Sequence, residues 1–269
     1  MHAFEYHRPS STKDAVALGS KKTEGRYLAG GQSLVQAMKL RLSAPSDLID
    51  LSSLKDLAGI KVSGSSVEIG AMTRHAEVAG SAAVQKAIPA LAALAGQIGD
   101  RQVRHMGTIG GSLANGDPAA DYPAAALGLG ATITTNKRKI EADKFFTGLY
   151  ETALQAGELI TSVSFPAPKR AAYMKFKNPA SRFAIVGVFV ADFGAGSKNP
   201  VRVGVTGAGA CAFRQPDMEK ALSAKFAPES VAGIKVKPDG LNSDLHASPE
   251  YRAHLITVMA KRAVQAALL

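Results

Sequence analysis

Two glycine-rich runs stand far apart in the chain: Ala29-Gly30-Gly31-Gln32-Ser33 and Met106-Gly107-Thr108-Ile109-Gly110-Gly111-Ser112. Each reads as following an extended or turn-like stretch and offers consecutive backbone N–H groups with no large side chain in the way. Such runs form concave nests for anionic oxygens. A Cβ within the first run would crowd an approaching phosphate. Ser33 adds a hydroxyl donor, Thr108 adds another, and the start of a following helix adds favourable partial charge. One loop can hold one phosphate. Two that converge can hold a pyrophosphate, which points to a dinucleotide cofactor. Alone, the first run reads as an ordinary strand–turn–helix junction, so the pair carries the argument.

Two carboxylates follow the second run, Asp117 and Asp121, within Asn115-Gly116-Asp117-Pro118-Ala119-Ala120-Asp121-Tyr122-Pro123. They suit ribose hydroxyls. Alternatively, Asp121 caps the next helix and Asp117 forms a turn with Pro118. Further on, Gly207-Ala208-Gly209-Ala210-Cys211-Ala212 fits a relaxed dinucleotide fingerprint. It is set aside, because Phe213-Arg214-Gln215-Pro216 does not open a helix and no second parallel strand completes the unit. Cys211 reads as a small buried residue. His75 and His105 lack metal-ligand spacing, and His105, though close to the second run, reads as a surface histidine. There is no nucleophile elbow and no metal-binding helix motif. Cofactor-binding features without an acid–base set suit redox chemistry carried by the cofactor itself.

The elements that must position these residues alternate along the chain. Ser11 caps a helix through Leu18, with Asp14 three residues on. Arg26–Ala29 reads as a strand into the first glycine run, and Ser33–Leu42 as a helix with Leu34, Met38 and Leu42 on one face. Short strands follow at Asp47–Leu51 and Val67–Gly70. Ser81–Ile98 has helical spacing, restarted at Pro89. Gly130–Glu141 reads as a hairpin turned at Asn136-Lys137, and Ile160–Phe165 as a strand ending at Pro166. The stretch Pro166–Arg170 is the candidate linker. Beyond it lie three strands, Tyr173–Phe176, Ala184–Asp192 and Val201–Thr206, and then helices. The last helix has Ser248 as N-cap, Pro249 at its first position and a stripe of Tyr251, Leu255, Val258, Met259 and Ala263. Strands followed by helices indicate a separate α+β domain.

At 269 residues and 46% hydrophobic content the chain can hold two domains and a real core. No apolar run approaches the roughly 18 residues of a membrane span. The first residues do not pattern as a signal peptide, so a cytoplasmic protein is expected. The single cysteine cannot ligate an iron–sulfur cluster or a zinc ribbon. Net charge is +10, with the densest cluster at Lys137-Arg138-Lys139, in the hairpin turn. Aromatics do not interleave with the basic residues, so a solvated basic surface is a better reading than a nucleic-acid platform.

Leu28-Ala29-Gly30-Gly31-Gln32-Ser33-Leu34, followed by Met38-Lys39-Leu40-Arg41, resembles the first FAD loop of the molybdenum-hydroxylase flavoprotein subunits. Arg104–Ala114 with Asp117-Pro118-Ala119-Ala120-Asp121 resembles the second. The family comprises the medium subunits of aerobic carbon monoxide dehydrogenase, bacterial xanthine dehydrogenases and related hydroxylases. The resemblance spans nearly the whole chain and includes Gly204–Gly209 and Ser248–Arg252 towards its end.

The resemblance implies an α+β protein. A two-part FAD-binding domain of the vanillyl-alcohol-oxidase type would cover residues 1–170, with subdomains of about 1–55 and 56–170. A smaller C-terminal domain, 171–269, would carry a three-stranded antiparallel sheet and helices. It implies non-covalent FAD, with Ala29–Ser33, Leu34 and Thr108–Ser112 (Thr108, Ile109, Gly110, Gly111, Ser112) at the pyrophosphate. Asp121 would lie on the ribose and adenine side, with Asp117 beside it. Leu159 and Ile160 would make backbone and apolar contacts to the isoalloxazine ring, and Lys175 would sit near its polar edge. Phe183 falls where some relatives place a tyrosine against the ring. The implied partners are a small subunit with 2Fe-2S clusters and a large molybdopterin subunit, in a dimer of heterotrimers. A free-standing flavin oxidoreductase and a basic binding protein without cofactor are the competing readings.

Overall fold

A computed structural model describes all 269 residues as a mixed α+β fold with three sheets and a small hairpin. The first sheet is parallel, with Asp47–Asp50 between Glu5–His7 and Arg26–Leu28. Its helices are Thr12–Lys21, capped by Ser11 through the Asp14 N–H, and Leu34–Lys39. The second of these is shorter than its pattern suggested. Arg41 turns left-handed at φ 60°, which ends the helix and leaves Leu42 79% exposed instead of on the buried face.

The second sheet has five antiparallel strands, in the order Ile60–Ser63, Ser66–Gly70, Ile160–Pro166, Thr132–Thr135, Lys139–Glu141. The helices that follow are His75–Gly80, Ala82–Ala87, Pro89–Gly96, Arg101–Met106, Ile109–Asn115 and Tyr122–Leu129, of which Ala82–Ala87, Ile109–Asn115 and Tyr122–Leu129 touch its strands. Proline 89 starts its helix as expected. The sequence reading missed His75–Gly80 and Arg101–Met106. The second glycine run therefore leaves a helix, begun by Asp100 accepting from the Val103 N–H, and not an extended stretch. Helix Tyr122–Leu129 is apolar on all sides and buried along its whole length, as an all-apolar helix must be.

The third sheet corrects the expected strand count. Four antiparallel strands run in the order Arg170–Lys177, Ala184–Asp192, Val201–Thr206, Phe213–Arg214. The fourth pairs only two residues, Phe213 with Val205 and Arg214 with Gly204, too few for any periodicity to register. Directly after it, Pro216 opens the helix Pro216–Ala224, so the segment does lead into a helix. Strand Ala184–Asp192 is buried at every position. Phe189 and Ala191 join the core around Tyr122–Leu129, while Val186, Val188 and Val190 join the core under the last helix, Pro249–Ala267. One face thus meets the residues that follow the second glycine run, and the other meets the chain's C-terminal helix. That helix buries Leu255, Ile256, Met259, Ala260, Ala263 and Val264; Tyr251 lies off the buried stripe. No helix is long and apolar enough to cross a membrane.

Candidate functional site: two glycine loops in contact

The two glycine runs meet. A Cβ on Gly30 would stand 2.0 Å from the Met106 carbonyl oxygen and 2.8 Å from the Gly107 Cα. Only a residue without a side chain permits that approach. Ala29 lies against Gly111, its Cβ 3.4 Å from where a Cβ there would be. Sequence reasoning required convergence; the backbones achieve it by direct contact.

The two loops contribute differently. In the first, Gly31 takes a left-handed φ of 71°. The N–H groups of Gly30, Gly31, Gln32 and Ser33 donate to no acceptor in the chain. Gly30, Gly31 and Gln32 are half-buried and Ser33 is exposed, so these donors face solvent and are free for a ligand's oxygens. Ser33 makes no capping bond with its hydroxyl. In the second loop, most donors are already used within the protein. Ile109 N donates to Thr73 O at 3.1 Å, Gly110 N to Ala71 O at 2.8 Å and Ser112 N to Thr108 O at 3.0 Å. The Thr108 hydroxyl accepts from Gly111 N at 3.1 Å and begins the helix Ile109–Asn115. The same hydroxyl keeps its own O–H free to donate. The second loop is a braced wall and the first a cradle set against it.

His75 is the brace; sequence reasoning weighed it only as a metal ligand and set it aside. It opens its helix, where the Glu77 carboxylate accepts from the Arg74 N–H at 2.7 Å, and its N–H donates to Gly107 O at 2.9 Å. Its imidazole lies buried where a Gly107 side chain would be: a Cβ there would stand 2.5 Å from Nε2. The ring also tilts against Tyr122, centroids 5.3 Å apart. Burial, together with the Arg104 charge, lowers the His75 pKa to about 4, so the ring is neutral at pH 7. By contrast His105 is exposed and Cys211 is half-buried with its thiol pushed up by burial.

The two acids have separate surroundings. Asp117 folds back to accept from Ala119 N at 2.9 Å, forming the expected turn, and burial raises its pKa. Asp121 is 4% exposed and caps nothing. Its oxygens accept from the Tyr173 hydroxyl at 2.5 Å and from Lys175 Nζ at 2.9 and 3.1 Å. Burial raises its pKa, and the Lys175 charge with the two donors works against that. Lys175 also donates to Gln97 O at 3.1 Å and Arg182 O at 2.9 Å, which occupies its ammonium fully. This buried pair joins the segment after the second loop to the third sheet. The same junction is sewn by Gly207 N to Pro118 O at 2.7 Å and by the Thr206 hydroxyl to Ala120 O at 2.6 Å.

The remaining candidates lie around this centre. Phe183 is 45% exposed, next to Arg182 in the turn between the first two strands of the third sheet. Leu159 is buried among Ala15, Ile49, Leu51, Leu54 and Leu57. Its N–H donates to Asn136 Oδ1 at 2.8 Å and its carbonyl accepts from Asn136 N at 2.9 Å. Ile160 starts the central strand of the five-stranded sheet and is buried. Beside them Glu158 binds Arg138 at 3.0 Å, so one of the three basic residues in the hairpin turn is an ion-pair partner.

A family model described as the FAD binding domain in molybdopterin dehydrogenase matches residues 2–168. The chain is 36% identical over 274 residues to the nicotine 6-hydroxylase medium subunit of Paenarthrobacter nicotinovorans, covering 97% of this chain and 96% of that one. It is 36% identical over 279 residues to the carbon monoxide dehydrogenase medium chain of Hydrogenophaga pseudoflava, covering 98% and 96%. Among solved structures, reconstituted CO dehydrogenase from Oligotropha carboxidovorans superposes with a TM-score of 0.90 at 34% identity, covering 99% and 98%. Quinoline 2-oxidoreductase from Pseudomonas putida 86 gives 0.90 at 28% identity, covering 99% and 97%. The chain belongs to the FAD-binding medium subunits of the molybdopterin dehydrogenases, the flavoprotein components of oxidoreductase complexes.

Proposed function

We propose that this chain is the electron-transfer subunit of a heterotrimeric molybdenum hydroxylase. It binds FAD non-covalently, takes electrons from 2Fe-2S clusters on a small partner subunit, and passes them to an external acceptor. The observation that carries the reading is the run of unspent N–H donors at Gly30–Ser33, pressed against the Met106–Gly107 backbone. That arrangement fits a pyrophosphate, with Ala29–Leu34 as cradle and Thr108–Ser112 as the wall behind it. FAD supplies two-electron and one-electron redox chemistry when bound. The chain's residues bind and orient it. Lys175, whose ammonium is spent on Asp121 and two carbonyls, supports the site from behind as half of a buried pair, and Phe183 offers an aromatic face without a hydroxyl. The vanillyl-alcohol-oxidase arrangement over 1–170, with 171–269 as a supporting domain, belongs to the same reading.

The lone cysteine supports the division of labour, because the clusters need thiolate ligands this chain does not have. Substrate oxidation falls to the large molybdopterin subunit, so substrate identity is a property of that partner. The test is anaerobic mixing of the flavin-loaded chain with substrate, alone and in its complex. Bleaching of the flavin only in the complex supports an electron-transfer subunit. Bleaching of the chain alone by a substrate favours a free-standing flavin oxidoreductase.

A further inference from the structure

Strands Phe146–Gly148 and Glu151–Thr152 form a hairpin turned at Leu149-Tyr150. Tyr150 has a φ of 55°, a left-handed conformation that glycine or asparagine takes readily and a bulky residue rarely does. Burial does not compensate, since the residue is 58% exposed. The hairpin packs on the second loop. The Tyr150 carbonyl carbon and Glu151 N both lie 3.4 Å from where a Gly116 Cβ would be, and Gly116 ends the helix that the second glycine run begins. The tyrosine hydroxyl stands beside the Asp117 carboxylate; burial and that negative charge raise the hydroxyl's pKa. Only two other non-glycine residues have positive φ, and both border the site. Arg41 ends the helix after the first loop, and Arg182 lends its carbonyl to Lys175. Strained conformations that persist in this way cluster at binding sites.

We propose that Tyr150 is a cofactor-binding residue whose ring stacks on a flat aromatic ring of the bound flavin nucleotide. The ring is supplied either by the isoalloxazine or by the adenine, and the inference rests on the flavin reading. A turn that only connected two strands would gain from glycine at this position; a stacking residue would not. Apo chain carrying Tyr150→Gly or Tyr150→Phe is therefore titrated with FAD and with FMN, following flavin fluorescence, and its Tm is measured without ligand. The glycine variant is expected to keep or raise the apo Tm while binding FAD roughly tenfold more weakly, and the phenylalanine variant to retain most of the affinity. An equal loss for FMN assigns the isoalloxazine, and a loss for FAD alone assigns the adenine. Unchanged affinity for both nucleotides in Tyr150→Gly overturns the inference. A wild-type chain that binds neither nucleotide overturns the flavin reading, and this inference with it.

Discussion

Gly30 and Met106, far apart in sequence, touch backbone to backbone, with the Met106 carbonyl oxygen 2.0 Å from where a Gly30 Cβ would be. The neighbouring atom is main chain at the end of a helix, so it cannot rotate aside. Gly30→Ala must separate the two loops. We expect FAD affinity to fall at least a hundredfold and stability by about 2 kcal/mol. Isothermal titration with FAD and urea unfolding of the apo chain check the two parts separately.

His75 and Gly107 are coupled in the same way, but here the obstacle is a side chain. Gly107→Ala is expected to push the imidazole aside and weaken FAD binding. His75→Ala alone creates a cavity costing about 1–3 kcal/mol. In the double variant the new methyl occupies vacated space, so FAD affinity should exceed that of Gly107→Ala. A strictly additive result would show that the imidazole does not set the height of the loop.

His75 also predicts a pH dependence. Its pKa is lowered in the fold to about 4 from 6.5. The unfolded chain therefore binds the proton first, and this contribution to stability is present above pH 6.5 and lost as pH falls towards 4. Denaturant midpoints for wild type and His75→Ala across that window should converge as the pH falls.

Glu158 acts lower on the pH scale. Its burial raises the pKa, but Arg138, the Gln155 N–H and the Thr135 hydroxyl outweigh that and hold it at about 2, against 4.5 unperturbed. Its stabilisation is complete above pH 4.5 and lost as pH falls towards 2. Glu158→Gln should be less stable than wild type by ~2 kcal/mol at pH 7. The difference should shrink through that window in acid-unfolding curves.

The buried Asp121–Lys175 pair suits a double-mutant cycle. Asp121→Asn or Lys175→Met alone leaves a buried charge without its partner, at a cost of about 3–5 kcal/mol. Removing both should recover a large part of that loss. Full additivity in urea unfolding would mean that the two do not act as a pair.

The glycine runs, the Pro89 restart, the hairpin at Asn136-Lys137 and the strands of the third sheet were legible because each has a local signature. A left-handed turn, a helix-starting proline and a period of two are written into neighbouring residues. What was not legible depends on residues distant in sequence. Nothing near Asp121 shows that its carboxylate faces Tyr173 and Lys175 and caps no helix, although those two do share a strand face by their spacing. His75 appeared as an isolated histidine because the glycine it supports lies far along the chain. The short strand Phe213–Arg214 exists only by pairing with Val201–Thr206. In the second loop, the cap that Thr108 makes to the Gly111 N–H is a further role that the sequence did not announce.

The central claim is that the converged loops hold FAD. The direct measurement is an absorbance titration of the purified chain with FAD, and with the two partner subunits coexpressed, followed by release of the cofactor and its identification by mass. The account predicts one FAD per chain, released intact on unfolding as a non-covalent ligand. A chain that acquires no flavin in either form would contradict it.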